Sequence, residues 1–139
     1  MKIKKLLVCC LAAATFISCK KNDIDVPDPD LKALFDTWNL VQKSGGFSGG
    51  TETPATMGYQ LSVKFDKDGH VYRYKDGAFE SQDKFEFVYQ DAAHVPNGTH
   101  YTLKYEQSPL SQWVYIHKDT LYLDDAFCND CYSYIYVRK

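Results

Sequence analysis

The sequence predicts an all-β domain: an antiparallel up-and-down meander of about eight strands, closed or nearly closed into a barrel, with a short helical turn in front. Three observations lead there. From Trp38 onward the apolar residues recur with a period of two, as in strands with one dry and one wet face. The breaks between these runs are Asp-Gly and Asn-Gly steps, which take the positive φ angles of tight hairpins. No long helical pattern separates one run from the next, so parallel βαβ units are excluded.

The elements follow in order. Leu31, Leu34 and Phe35 are spaced i, i+3, i+4 just after a proline and predict one or two helical turns from Asp30. Trp38–Lys43 is the first strand. Ser44–Thr56, rich in Gly and Ser, is the one long loop. The clearest alternation is Tyr59, Leu61, Val63 and Phe65 against Gln60, Ser62, Lys64 and Asp66. Next, Tyr72 and Tyr74 alternate with Arg73 and Lys75, which assigns the tyrosines to the dry face. Phe85, Phe87 and Tyr89, then Tyr101, Leu103 and Tyr105, continue the pattern, followed by Trp113–His117, Leu121–Leu123 and Tyr132–Arg138. Asp68-Gly69, Asp76-Gly77, Asn97-Gly98 and Lys118-Asp119 mark the turns. Rolling the meander into a barrel removes its exposed edges.

The N-terminus differs from the rest. Lys2, Lys4 and Lys5 precede the uncharged run Leu6–Ile17, then Ser18, Cys19 and a polar stretch. A basic head, a short apolar segment and a small residue before the cut make a secretory signal, and twelve apolar residues are too few to span a bilayer. Phe16-Ile17-Ser18-Cys19 resembles the lipobox of bacterial lipoproteins. That resemblance implies a signal peptide over 1–18, cleavage before Cys19 and a lipid on its thiol. The expected organisation is therefore signal peptide 1–18, lipidated tether 19–29 and barrel domain 30–139. Lys20 after the lipidated cysteine, where an Asp favours inner-membrane retention, implies anchoring in the outer membrane. Loss of three lysines with the signal leaves 13 basic against 18 acidic residues in a 121-residue chain, one domain with no basic face for nucleic acid.

Trp38-Asn39-Leu40-Val41 on the first strand, the Gly-rich loop behind it, the Asp-Gly hairpins and the closing Tyr134-x-Tyr136-x-Arg138-Lys139 resemble the lipocalin-like domains of small bacterial lipoproteins. The resemblance covers roughly Leu31 to Lys139 and implies a lipocalin-like barrel. It also implies a structural pair at the closed end, with Arg138 of the last strand packed over Trp38. Asp36 stands where lipocalins carry the Gly of their G-x-W motif.

Candidate chemistry centres on the aromatics. Tyr72, Tyr74, Phe87, Tyr89 and Tyr101 are candidates to line a ligand cavity, since such rings combine an apolar body with, in Tyr, a polar tip. Strand propensity and core volume account for the same residues without a ligand, and that is the favoured account. Cys128-x-x-Cys131 lies in a turn before the last strand, where a disulfide fits; two free thiols and half of a metal site are the competing assignments. His70, His94, His100 and His117 repeat no ligand spacing, and no metal or cofactor is expected. Asp66-Lys67-Asp68-Gly69 echoes a calcium loop but is better accounted for as a hairpin turn. Asp124, Asp125 and Asp130 read as solvated loop charge. Glu80, Glu86 and Glu106 could serve as paired carboxylates only if the fold joined them. No nucleophile or metalloprotease motif is present. The expectation is a non-catalytic, lipid-anchored binding protein for a small apolar or sugar-like ligand. The alternative is a filled-core interaction module, an accessory subunit of an envelope complex.

Overall fold

The computed structural model describes residues 23–91 and 98–139, so the signal segment, Cys19, His94 and Asn97 lie outside the described residues. The helical turn is a 3-10 segment, Pro29–Leu34, with Pro29 in its first turn and the Asp28 carboxylate accepting from the Asp30 N–H at 2.9 Å. Nine strands follow: β1 Thr37–Gly45, β2 Gly50–Glu52, β3 Leu61–Phe65, β4 His70–Lys75, β5 Ala78–Tyr89, β6 Tyr101–Tyr105, β7 Ser111–His117, β8 Thr120–Asp125 and β9 Tyr132–Arg138. Every pairing is antiparallel, and β1 pairs with β9 from Trp38↔Arg138 to Gly45↔Tyr132, which closes the sheet. Eight strands make the barrel. The ninth, β2, is a short flap on β1.

Three local features differ from expectation. The Gly-rich loop holds β2 and one α-helical turn, α1 Pro54–Met57, with a capping box of Thr53 and Thr56 at its N-terminus and Gly58 in the left-handed conformation at its C-terminus. β5 begins at Ala78, well before Phe85, because Asp76 (φ 50°) and Gly77 (φ 80°) form a two-residue turn that pairs Lys75 with Ala78 at once. The stretch assigned to a solvated tether is partly docked: the Ile24 N–H donates to Lys67 O at 2.7 Å, and Ile24 and Val26 pack against the core. Two apolar side chains in an otherwise acidic segment are enough to hold it down.

The two ends of the barrel are unlike. Leu31 and Leu34 of the 3-10 segment cover the first, over a core of Trp38, Leu40, Phe65, Val71, Leu103, Val114 and Leu121. The Trp38 indole N–H donates to Leu34 O at 2.9 Å and ties the plug to β1. At the second end lie the connections after β1, β4, β6 and β8. There side chains line a space instead of packing on each other.

Candidate functional site

At the second end the barrel contains a cavity of about 290 Å³, close to the lower limit of the ~300–1,000 Å³ usual for small-molecule sites. Its apolar wall comes from Leu61, Val63, Phe65, Val71 and Leu123. Its polar groups are Arg73, Tyr105, Gln112, Asp125, Tyr134 and Tyr136, with Glu80 and Ser108 on the lining as well.

Register explains how Arg73 came inside. Directly opposed residues of an antiparallel pair share a face. Val63 pairs with Arg73 and Phe65 with Val71, so the inward set of β3 draws Val71 and Arg73 inward together. Tyr72 is thereby turned outward, where its hydroxyl donates to Asp66 Oδ2 at 3.0 Å. The assignment of Arg73 to the wet face and Tyr72 to the dry one is corrected. A β-bulge between β4 and β5, with Glu80 as the extra residue, shifts the register after Arg73, and Tyr74, paired with Ser62, borders the cavity.

Of the five aromatics proposed as lining, Tyr74 alone borders this cavity. Phe87 and Tyr101 pack against the core toward the plugged end. Tyr89 is 59% exposed, stacked against His100 with its ring centroid 5.8 Å away. These positions follow from strand direction: Tyr89 and Tyr101 face each other in the β5–β6 ladder at the end remote from the cavity. The tyrosines that do line it, Tyr105, Tyr134 and Tyr136, sit on β6 and β9. The inward Arg was missed, although Val71 two residues before it was the available signal: the most apolar residue of His70–Lys75 marks the inward parity.

Inside the cavity the hydrogen bonds form a chain. The Tyr105 hydroxyl donates to Gln112 Oε1 at 2.7 Å, Gln112 Nε2 donates to Asp125 Oδ1 at 2.8 Å, and the Tyr132 N–H donates to Asp125 Oδ2 at 3.3 Å. Arg73 lies over the Tyr105 ring, with Cζ 5.3 Å from the centroid. Among the described residues its guanidinium has no carboxylate or carbonyl partner, and the Tyr134 and Tyr136 hydroxyls have no hydrogen bond. Burial pushes the Tyr134 phenol up to about 12 and also raises Tyr105 and Tyr136, with Asp125 adding to the rise and Arg73 opposing it. All three are neutral donors near pH 7.

Comparison with protein-family models and with curated proteins finds no match. Functional assignment therefore rests on the geometry of this chain.

The remaining candidates are dispersed. The Arg138 guanidinium carbon lies 4.6 Å from the Trp38 ring centroid, at the plugged end. Arg138 is also bonded to Asp36 through Nη1 and to Asp119 through Nε at 3.2 Å. Cys128 and Cys131 are joined as a disulfide, with Cα atoms 5.5 Å apart, in the connection before β9. Asp66 is occupied by its own turn, accepting from the Asp68 and His70 N–H groups and from Tyr72. Glu86 pairs with Lys104 at 3.5 Å and Glu106 with Lys84 at 3.8 Å, all well exposed on the outer surface and apart from Glu80. Four apolar side chains stand exposed around the open end: Phe47 (95%), Phe127 (71%) and Leu110 (46%) on its connections and Phe79 (60%) at the start of β5.

Proposed function

We propose that this chain is a lipid-anchored, non-catalytic protein of the bacterial envelope whose barrel binds a small molecule through its open end. The observation that carries the reading is the cavity itself, a space of about 290 Å³ with apolar walls and polar groups left without partners. A filled core is what the interaction-module alternative requires, and the open end departs from it. The exposed Phe47, Phe79, Leu110 and Phe127 suit an apolar entrance.

The plugged end bears on orientation. With Ile24 bonded to Lys67, a lipid on Cys19 would be connected through five residues, a reach of roughly 17 Å at full extension. An outer-membrane anchor of that length keeps the plugged end near the bilayer and directs the mouth away from it. The resemblance of Phe16-Ile17-Ser18-Cys19 to a lipobox supports the anchor.

Native mass spectrometry of the protein purified from its own host tests the binding function. A co-purifying mass of small-molecule size supports it; a protein that carries none, and gains none from extracts of its host, favours the interaction module. Cys19→Ala tests the anchor, and normal cleavage and membrane retention of that variant would remove the lipoprotein assignment.

A further inference from the structure

We propose that the barrel cavity takes a small organic carboxylate, with Arg73 as the anion clamp and the Tyr134 and Tyr136 hydroxyls as supporting donors. The proposal rests on the ligand-binding reading above and names the class of ligand.

The interior polar groups divide into committed and uncommitted sets. Gln112 is used on both sides, by Tyr105 and by Asp125, and Asp125 has both oxygens engaged. Besides the Ser62 and Tyr74 hydroxyls, the uncommitted groups on the lining, among the described residues, are the Arg73 guanidinium and the two neutral phenols of Tyr134 and Tyr136, which are donors, and the exposed Glu80 carboxylate at the mouth. Asp83, buried opposite Val71, is taken by the Lys84 and Gln107 N–H groups. A guanidinium carries five N–H groups in a planar fork that matches a carboxylate bidentately. In Arg73 the guanidinium carbon lies over the Tyr105 ring, 5.3 Å from its centroid, and no hydrogen bond among the described residues occupies its N–H groups. A cationic ligand would meet Arg73 without compensation, and a neutral sugar would leave its charge unpaired in a partly dry space.

The other charges set the orientation. Asp125 ends β8, and Glu80 lies near the start of β5, both at the open end. Arg73 lies mid-barrel, opposite Val63 and Ser81. A ligand carboxylate therefore enters first and stays deep. Its far end, uncharged or cationic, faces the two carboxylates at the mouth, and a second anionic group there is disfavoured. Leu61, Val63 and Leu123 supply the apolar wall for the body between.

The test uses two probes of the same shape, 3-phenylpropionate and its uncharged amide, titrated calorimetrically into the full chain at pH 7. The acid is expected to bind at least about tenfold more tightly than the amide, the worth of one charge-assisted hydrogen bond. Arg73→Met should abolish that preference by lowering acid binding far more than amide binding, and Arg73→Lys, which keeps the charge but loses the fork, should give an intermediate preference. Tyr136→Phe should weaken the acid severalfold and the amide by less, reducing the preference. Equal binding of acid and amide to the native chain, or a preference that survives in Arg73→Met, overturns the carboxylate assignment and leaves a small-ligand site standing. Binding of neither probe overturns the assignment, and joined to an empty result in native mass spectrometry it removes the ligand-binding reading too. If Arg73→Met fails to fold, the Arg73→Lys and Tyr136→Phe variants decide: an acid preference unaltered in both overturns the proposal.

Discussion

Arg138, the penultimate residue, covers Trp38 of the first strand, its guanidinium carbon 4.6 Å from the ring centroid, while its Nη1 bonds Asp36 two residues before that Trp. The contact joins the two strands whose pairing closes the barrel, and it does so at the plugged end. Removing both partners, Trp38→Leu and Arg138→Gln, should cost less than the sum of the single changes. A coupling of about 1 kcal/mol is expected from denaturant unfolding of the four proteins, the range of partly desolvated cation–π pairs. Strict additivity would mean that the contact contributes nothing to closure.

Asp36 gives that end a pH dependence. The Thr37 N–H and the Arg138 guanidinium hold its carboxyl below the ordinary aspartate value. A depressed folded pKa means stabilisation that is present above the unfolded value, near 3.8, and lost as pH falls through the folded one. Asp36→Asn should therefore be less stable than the native chain at pH 7, by about 1 kcal/mol or less because the pair is partly exposed. The gap should close as acid protonates Asp36. A gap that stays constant to pH 2 would rule out the ionised pair as its source.

The tyrosines separate by position, not by type. Tyr105 is buried and hydrogen-bonded, so Tyr105→Ala should cost roughly 3–5 kcal/mol, like Leu103→Ala in the solid core. Tyr72→Ala on the outer face should cost about 1 kcal/mol, the worth of its bond to Asp66. Tyr89→Ala, at an exposed position, should fall within about 0.5 kcal/mol of native. Equal losses at Tyr72 and Tyr105 would contradict the inward–outward assignment of β4 and β6.

The mouth depends on a glycine. Gly45 ends β1 at φ 113°, and a Cβ there would lie 2.1 Å from the Cys131 carbonyl oxygen. Backbone cannot yield as a side chain can, so Gly45→Ala should lose at least about 2 kcal/mol and loosen the pairing with β9. Amide hydrogen exchange should show the loss at Gly46, whose N–H donates to that same carbonyl at 3.1 Å. Unchanged protection there would refute the clash.

The neighbouring disulfide closes a small loop, and loop-closure entropy for so short a span is about 2 kcal/mol. The double change Cys128→Ser with Cys131→Ser should lower stability by no more than that and leave the plugged end intact. Global unfolding on mild reduction would show a larger role than local geometry supports.

The strand repeat and the hairpin dipeptides are short-range signals, and they determined the antiparallel barrel because each is written within a few residues. The period of two in Leu61–Phe65 needs no partner to be recognised, and Asp76-Gly77 specifies its own turn. Closure was already implied by the lack of anything else to cover the edges. What the sequence left undecided was parity and depth. Whether Arg73 or Tyr72 faces inward depends on pairing with Val63 and Phe65, and a shift of one residue exchanges the faces. Which tyrosines meet at the cavity depends on strand direction, which places Tyr89 and Tyr101 at one end and Tyr105 and Tyr134 nearer the other. The bulge at Glu80, the docking of Ile24 and the unpaired donors of the interior are likewise relations between residues far apart in the chain. Tertiary structure alone decided them, because their free energy is in contacts that exist only once the barrel has closed.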